Sequence, residues 1–220
     1  MCSIVGVVRL AGDLKPDKLK RWENDRCGGR PLDVSALRTI ILGEDRTLAN
    51  VYVAVNSGLG DRKYATPKST LLLDQIECVY KPRVLGLMTN QTLILRNSDD
   101  TIHNFHIDLG YGAEFDRGHY RGGEEKALRF PRPEVGKIVK CDVHPWMIGW
   151  IHISDHPFFA VTGIDGQYLL KDLPPGEYEI LAWHERFKEK PLIAKVRVEA
   201  GKAATLDFTF EAPVAPDSKR

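Results

Sequence analysis

Short runs rich in Val, Ile, Leu and Tyr recur along the chain, each broken off by Gly, Pro, Asn or Asp. Inside the runs apolar and polar positions alternate, the period of two that sends successive side chains to opposite faces of a strand. The pattern predicts strands over residues 4–10, 51–55, 83–88, 92–96, 137–141, 149–154, 168–170, 178–183, 194–199 and 205–210, and therefore an all-β fold class. Residues 14–30 are highly charged and read as a short helix or an ordered loop, and residues 111–125, rich in Gly, Arg and Glu, as a surface connection. Residues 213–220 carry prolines and almost no large apolar side chain, so they predict a tail without fixed structure.

At 220 residues the chain exceeds the roughly 100 to 150 of a typical domain, and two modules are expected. With 31 Lys+Arg against 30 Asp+Glu the formal net charge is +1, which gives no whole-chain footprint for nucleic acid. The longest apolar runs, such as Leu71-Leu72-Leu73, fall far short of the about 20 residues that cross a bilayer, so no transmembrane segment is expected. No secretory leader with a small-residue cleavage site is legible, so an exported protein would be seen here in trimmed form. Cys2 is then either a lone free thiol or the lipid-modified cysteine of a bacterial lipoprotein.

Composition shifts near residue 157. Beyond it, Thr162-Gly163-Ile164-Asp165-Gly166-Gln167-Tyr168 and Leu173-Pro174-Pro175-Gly176-Glu177-Tyr178 set strands around two tight turns, Asp165-Gly166 and Pro175-Gly176. This stretch resembles the carboxypeptidase regulatory-like, or transthyretin-like, family of β-sandwiches. The opening strand of that family, Ile-x-Gly-x-Val, is matched by Ile4-Val5-Gly6-Val7-Val8 at the other end of the chain. The resemblance implies that residues 1–63 and 157–212 build one Ig/transthyretin-like sandwich, with residues 64–156 inserted as a second module. A plain tandem order is the alternative.

The densest chemistry lies in Cys141-Asp142-Val143-His144-Pro145-Trp146-Met147, a thiol, an imidazole and a thioether in one loop between two predicted strands. Thiolate and thioether are soft donors, and a Cys with two His and a weak axial Met is the blue-copper arrangement, whereas zinc makes little use of thioether. Alternation puts Val139 and Cys141 on one face and Lys140 on the other, so the sulfur points inward while the lysine stays wet. A second imidazole is offered by Asn97-Ser98-Asp99-Asp100-Thr101-Ile102-His103-Asn104-Phe105-His106. His103 is favoured, since His106, an odd number of positions away, faces the other side. His184, in Trp183-His184-Glu185, reads as a surface or interface residue.

At these residues the chain resembles the cupredoxins, Greek-key β-sandwiches that hold one type 1 copper, and the Cys-x-x-His-x-x-Met loop is similar to that of amicyanin. The resemblance covers residues 64–156 and implies a ligand set of His103, Cys141, His144 and Met147. It also implies that Asn104, directly after the first His, holds the metal loop by hydrogen bonds, with Pro145 supporting from within the loop. Val139-Lys140 stands where many cupredoxins carry an aromatic before the Cys. Glu134 and Asp142 are the carboxylates near enough to replace or supplement Met147.

Cys27 and Cys78 each adjoin a connection that would otherwise be loose, so a disulfide between them would tie the N-terminal segment to the inserted module; two reduced, buried thiols are the alternative. A disulfide points to an oxidising compartment, the periplasm or another extracytoplasmic space, with membrane association if Cys2 is lipidated.

The ligand set fits a one-electron carrier, because it needs little rearrangement between Cu(I) and Cu(II). His144 would bring an imidazole edge near the surface, and Pro145 and Trp146 would form an apolar docking patch for a redox protein partner, through the small interface usual for redox encounters. A copper-handling module, or one that binds a partner or carbohydrate without redox turnover, is the alternative. A copper oxidase or nitrite reductase needs a further copper bound by several histidines, and no second His cluster is legible, so an enzyme is not expected.

Overall fold

The computed structural model describes residues 2–15, 17–109, 113–120 and 122–213, with the side chains of residues 20 and 113–120 left aside. The tail expected without fixed structure lies, from residue 214, outside the described residues. In the strand Cys2–Ala11 every second residue is buried, Ile4, Val8 and Leu10 among them, which is the period of two expected of a strand with one face in a core. Every strand expected from the alternation is present, and the run 205–210 is split into Ala203–Thr205 and Phe208–Glu211. Helical residues are confined to short 3-10 turns such as Leu19–Trp22 and Val34–Leu37, so the fold is all-β. Among the described residues no helix is long and apolar enough to cross a membrane.

Contacts divide the chain into two units, one of Met1–Asp17, Thr39–Gly60 and Ala160–Arg220, the other of Lys18–Arg38 and Asp61–Phe159. In the first unit one sheet runs Gln167–Leu173, Cys2–Ala11, Ala203–Thr205, with Phe208–Glu211 also paired to Cys2–Ala11. The other runs Phe159–Val161, Tyr52–Ser57, Gly176–Trp183, Leu192–Val198. Cys2–Ala11 pairs antiparallel with Gln167–Leu173 and parallel with the two late strands, so residues far apart in sequence share one sheet. Gly6 permits this weave: a Cβ there would stand 1.8 Å from the Leu206 carbonyl oxygen. Gly166, at φ +65°, makes the Asp165-Gly166 turn, where any other residue would be strained.

The second unit packs two sheets. One runs Ala113–Tyr120, His103–Leu109, Glu134–Lys140, Ile148–Ser154, Val84–Met88, and the other Glu125–Leu128, Leu93–Asn97, Leu71–Ile76, Val79–Lys81. Leu73, Leu93 and Leu95 of the smaller sheet share a core with Phe105, Ile107, Val139, Ile151 and Ile153 of the larger.

Three expectations change. Lys18–Arg38, expected with residues 1–63 in the outer sandwich, belongs to the second unit, because the Cys27–Cys78 disulfide and the burial of Leu32 and Leu37 in that unit's core hold it there. Residues 111–125 are not merely a connection: Ala113–Tyr120 and the start of Glu125–Leu128 are edge strands, which pair on one side only and so need no apolar pattern. Cys2 is a free thiol, one of the two states expected for it, and is buried in a paired strand. His184 is fully buried, and its Nδ1 caps a 3-10 turn by accepting the Arg186 N–H at 3.2 Å.

Candidate metal centre

The strands His103–Leu109 and Glu134–Lys140 are neighbours, with Lys140 opposite His106 and Val139 opposite Ile107. That register brings His103, at the start of one, beside Cys141, just past the end of the other. The connection from Cys141 to Ile148–Ser154 is tight: Met147 N–H donates to the His144 carbonyl at 2.9 Å, and Cys141 N–H to the Met147 carbonyl at 3.2 Å. His103, Cys141, His144 and Met147 are thereby gathered at one end of the sheet and buried, at 0%, 2%, 8% and 0% exposure. Val139 is buried and Lys140 exposed, as parity requires.

Three donor atoms converge. His103 Nδ1 lies 3.0 Å from His144 Nδ1, and Cys141 Sγ lies 3.8 Å from the first and 3.9 Å from the second. The point equidistant from the three is about 2.1 Å from each, the metal–nitrogen distance of a borderline divalent cation. Two neutral imidazoles cannot aim lone pairs at each other across 3.0 Å unless a proton or a metal ion stands between them. Met147, buried at the end of the same loop, offers a soft thioether. The residues therefore fit one copper ion.

Around the donors every support is itself anchored. The buried Asp99 carboxylate accepts from His103 Nε2–H at 3.0 Å, from Cys78 N–H at 2.8 Å and from Glu77 N–H at 2.7 Å. By taking the proton-bearing nitrogen it leaves Nδ1 of His103 as the free lone pair, the tautomer a metal needs. Burial alone would raise the Asp99 carboxyl, but the hydrogen bonds from His103, Cys78 and Glu77 outweigh it and hold the group below the usual carboxylate range. Burial would likewise raise the Cys141 thiol; its close contacts with the His103 and His144 side chains and with the backbone bring it down to about 6, toward the thiolate. Asp99 was not singled out in the sequence. Its signal there is its place in Asn97-Ser98-Asp99, four positions before His103, which gives it no contact partner by period.

Asn104 is hydrogen-bonded to the loop that carries Cys141 and His144. Its Oδ1 accepts the Asp142 N–H at 2.6 Å and its Nδ2 donates to Asp142 Oδ2 at 2.5 Å, tying one ligand strand to the metal loop. Asp142 also faces His106 Nδ1 at 3.1 Å and is exposed, so its carboxylate is engaged away from the donors; Glu134 pairs with Lys137 at 3.4 Å. The Tyr80 hydroxyl, fully enclosed, lies within hydrogen-bond distance of the Asn104 and Lys140 carbonyls and fixes both strands right next to His103 and Cys141.

Cys27 and Cys78 form the expected disulfide. Cys78 Sγ is 4.0 Å from His103 Nε2, but that sulfur is bonded to Cys27 and faces the nitrogen that Asp99 already occupies, so it is no ligand. Pro145 is exposed beside His144. Trp146, expected on the docking patch, is instead 9% exposed: its ring packs 5.2 Å from His144 and 5.4 Å from Trp22, because the Lys18–Arg38 segment lies over it.

No protein-family model and no curated protein matches the chain. Among solved structures it is similar to a copper-containing nitrite reductase from Thermus scotoductus SA-01, at 18% identity and TM-score 0.38 over 43% of this chain, and it spans only 26% of that enzyme. It is similar to amicyanin from Paracoccus versutus at 17% identity and TM-score 0.36, over 46% of this chain and 97% of that one. A purple cupredoxin from Nitrosopumilus maritimus follows at 20% identity and TM-score 0.33, over 39% and 99%. At such scores the case for a metal lies in the donor geometry.

Proposed function

We propose that the protein is a one-electron carrier with one type 1 copper ion held by His103 Nδ1, His144 Nδ1 and Cys141 Sγ, with Met147 as the weak axial ligand. The observation that carries this is the convergence of two imidazole Nδ1 atoms and one thiol on a single buried point, 3.0 to 3.9 Å apart. When bound, copper supplies a one-electron couple between Cu(I) and Cu(II), and a thiolate, two imidazoles and a thioether suit both states. The residues of the chain do the rest. Asp99 fixes the orientation of His103, and Asn104 fixes the loop through Asp142. Burial of all four side chains excludes water, and a cage held through His103 and through the loop has little room to rearrange when the charge changes.

The Cys27–Cys78 disulfide supports an oxidising, extracytoplasmic compartment for this carrier. The first unit we read as a carboxypeptidase regulatory-like sandwich. Its support is the close approach at Gly6, the Gly166 turn, and the Tyr178 hydroxyl that closes the Pro174-Pro175-Gly176 turn by donating to the Pro174 carbonyl at 2.7 Å. Cyclic voltammetry of the copper-loaded protein tests the carrier function. A reversible one-electron wave with small peak separation is expected, and a protein that binds copper with no reversible wave is a copper-handling module instead.

A further inference from the structure

The Lys18–Arg38 segment belongs to neither large sheet of the second unit, yet it is fastened to that unit by the Cys27–Cys78 disulfide. It lays Trp22 over the metal loop. The Trp22 ring centroid is 5.4 Å from that of Trp146, and Trp146 is 5.2 Å from His144. Trp22 is half-buried, and the exposed Arg21 sets its guanidinium 4.4 Å above the outer ring. From His144, 8% exposed, two indoles in contact thus lead outward to solvent. Between Lys18 and Arg38 stand six Lys or Arg against three Asp or Glu, in a chain whose charges otherwise nearly cancel.

We infer that this segment is the electron port of the protein: Trp146 and Trp22 carry electronic contact outward from His144, and the basic face around Arg21 docks an acidic protein that holds a one-electron centre. The inference rests on the carrier function proposed above. One electron crosses, oxidising one centre and reducing the other, and no atom or proton moves with it. Aromatic π-systems in contact couple donor and acceptor better than a gap of the same length. Exposed cations raise the encounter rate with an anionic partner, and tryptophan is the side chain that most often anchors an interface.

Two experiments test it. Hexacyanoferrate(III), an anionic one-electron oxidant, is mixed with the Cu(I) protein by stopped flow. Trp22→Ala should slow the reaction several-fold with the copper absorption unchanged, and Trp22→Phe should fall between it and wild type. Arg21→Glu should slow it roughly tenfold at low salt and leave a cationic cobalt–phenanthroline oxidant unslowed. Separately, redox-inert hexacyanocobaltate(III) titrated into the metal-free wild-type protein should shift the backbone amide NMR signals of Lys18–Arg38. A Trp22→Ala rate equal to or above wild type would mean that Trp22 is a shield and overturn the port. So would amide shifts confined to other segments. Should Trp22→Ala fail to hold copper, the surface variant Arg21→Glu and the anion map decide. Should the chain prove not to bind copper at all, the map on the metal-free protein still reports whether the segment is a docking face, so the two failures are distinguishable.

Discussion

Replacing Asp99 with alanine probes the support of the site. Its carboxylate is 1% exposed and accepts three hydrogen bonds, from Glu77 N–H at 2.7 Å, Cys78 N–H at 2.8 Å and His103 Nε2–H at 3.0 Å. Alanine leaves two buried donors, Cys78 N–H and His103 Nε2–H, and the part-buried Glu77 N–H without their acceptor. Each buried donor costs about 1–3 kcal/mol, so the second unit should lose at least about 2 kcal/mol of stability. Arg30, 3.7 Å from Asp99 Oδ1 and largely exposed, adds little to this by comparison. Asparagine keeps one acceptor oxygen in place and should lose less. With its outer nitrogen unheld, His103 is freed to rotate or change tautomer, and copper affinity should fall about 10- to 100-fold. Urea titration followed by tryptophan fluorescence reads the stability, since Trp22, Trp146 and Trp150 all lie in this unit, and a chelator competition reads the affinity. An Asp99→Ala variant within about 1 kcal/mol of wild type and equally tight for copper would refute the reasoning, because two buried orphaned donors cannot cost so little.

Cys141→Ser should remove the intense copper-dependent visible absorption while leaving the far-UV circular dichroism unchanged; colour that survives would show that the thiolate is not a ligand. Removing the disulfide with Cys27→Ala and Cys78→Ala opens a link across 51 positions, worth about 4 kcal/mol by chain entropy, and denaturant midpoints should drop accordingly. A near-unchanged midpoint would mean that packing of Leu32 and Leu37 alone holds the Lys18–Arg38 segment. Burial presses the His152 imidazole down to about 3, so it stays neutral in the folded protein while the unfolded chain protonates near its ordinary 6.5. Below about 6.5 the unfolded state therefore takes up a proton that the folded state refuses, and stability from this residue falls by about 1.4 kcal/mol per pH unit toward about 3, with no dependence above 6.5. Urea midpoints at several pH values should show this slope in wild type and a flatter one in His152→Leu; equal slopes would contradict it.

What the sequence made legible was whatever has a period or a tight local grouping. Alternation located Cys2–Ala11 and Ile148–Ser154, and the seven-residue Cys-to-Met loop announced its donors because chemistry and spacing coincide there. His103–Leu109 was not drawn as a strand, since His103, Asn104 and His106 interrupt its apolar positions, and the same polar residues turned out to build the site. Asp99 went unassigned because its partners, Glu77, Cys78 and His103, come together only through the register of the sheets. Trp146 was placed at the surface because nothing local foretells that Trp22, more than a hundred positions earlier, covers it. His184 was misplaced for a like reason: burial depends on which strand lies opposite, and a lone polar residue carries no pattern that reports it.

The central claim is tested most directly by adding one equivalent of Cu(II) to the metal-free protein and recording the visible absorption and EPR spectra before and after ascorbate. An intense thiolate-to-copper band with a mononuclear Cu(II) EPR signal, both abolished by ascorbate and restored on reoxidation, is the predicted result. A colourless protein, or one that takes zinc in preference at the same donors, would contradict a type 1 copper centre at Cys141, His103, His144 and Met147.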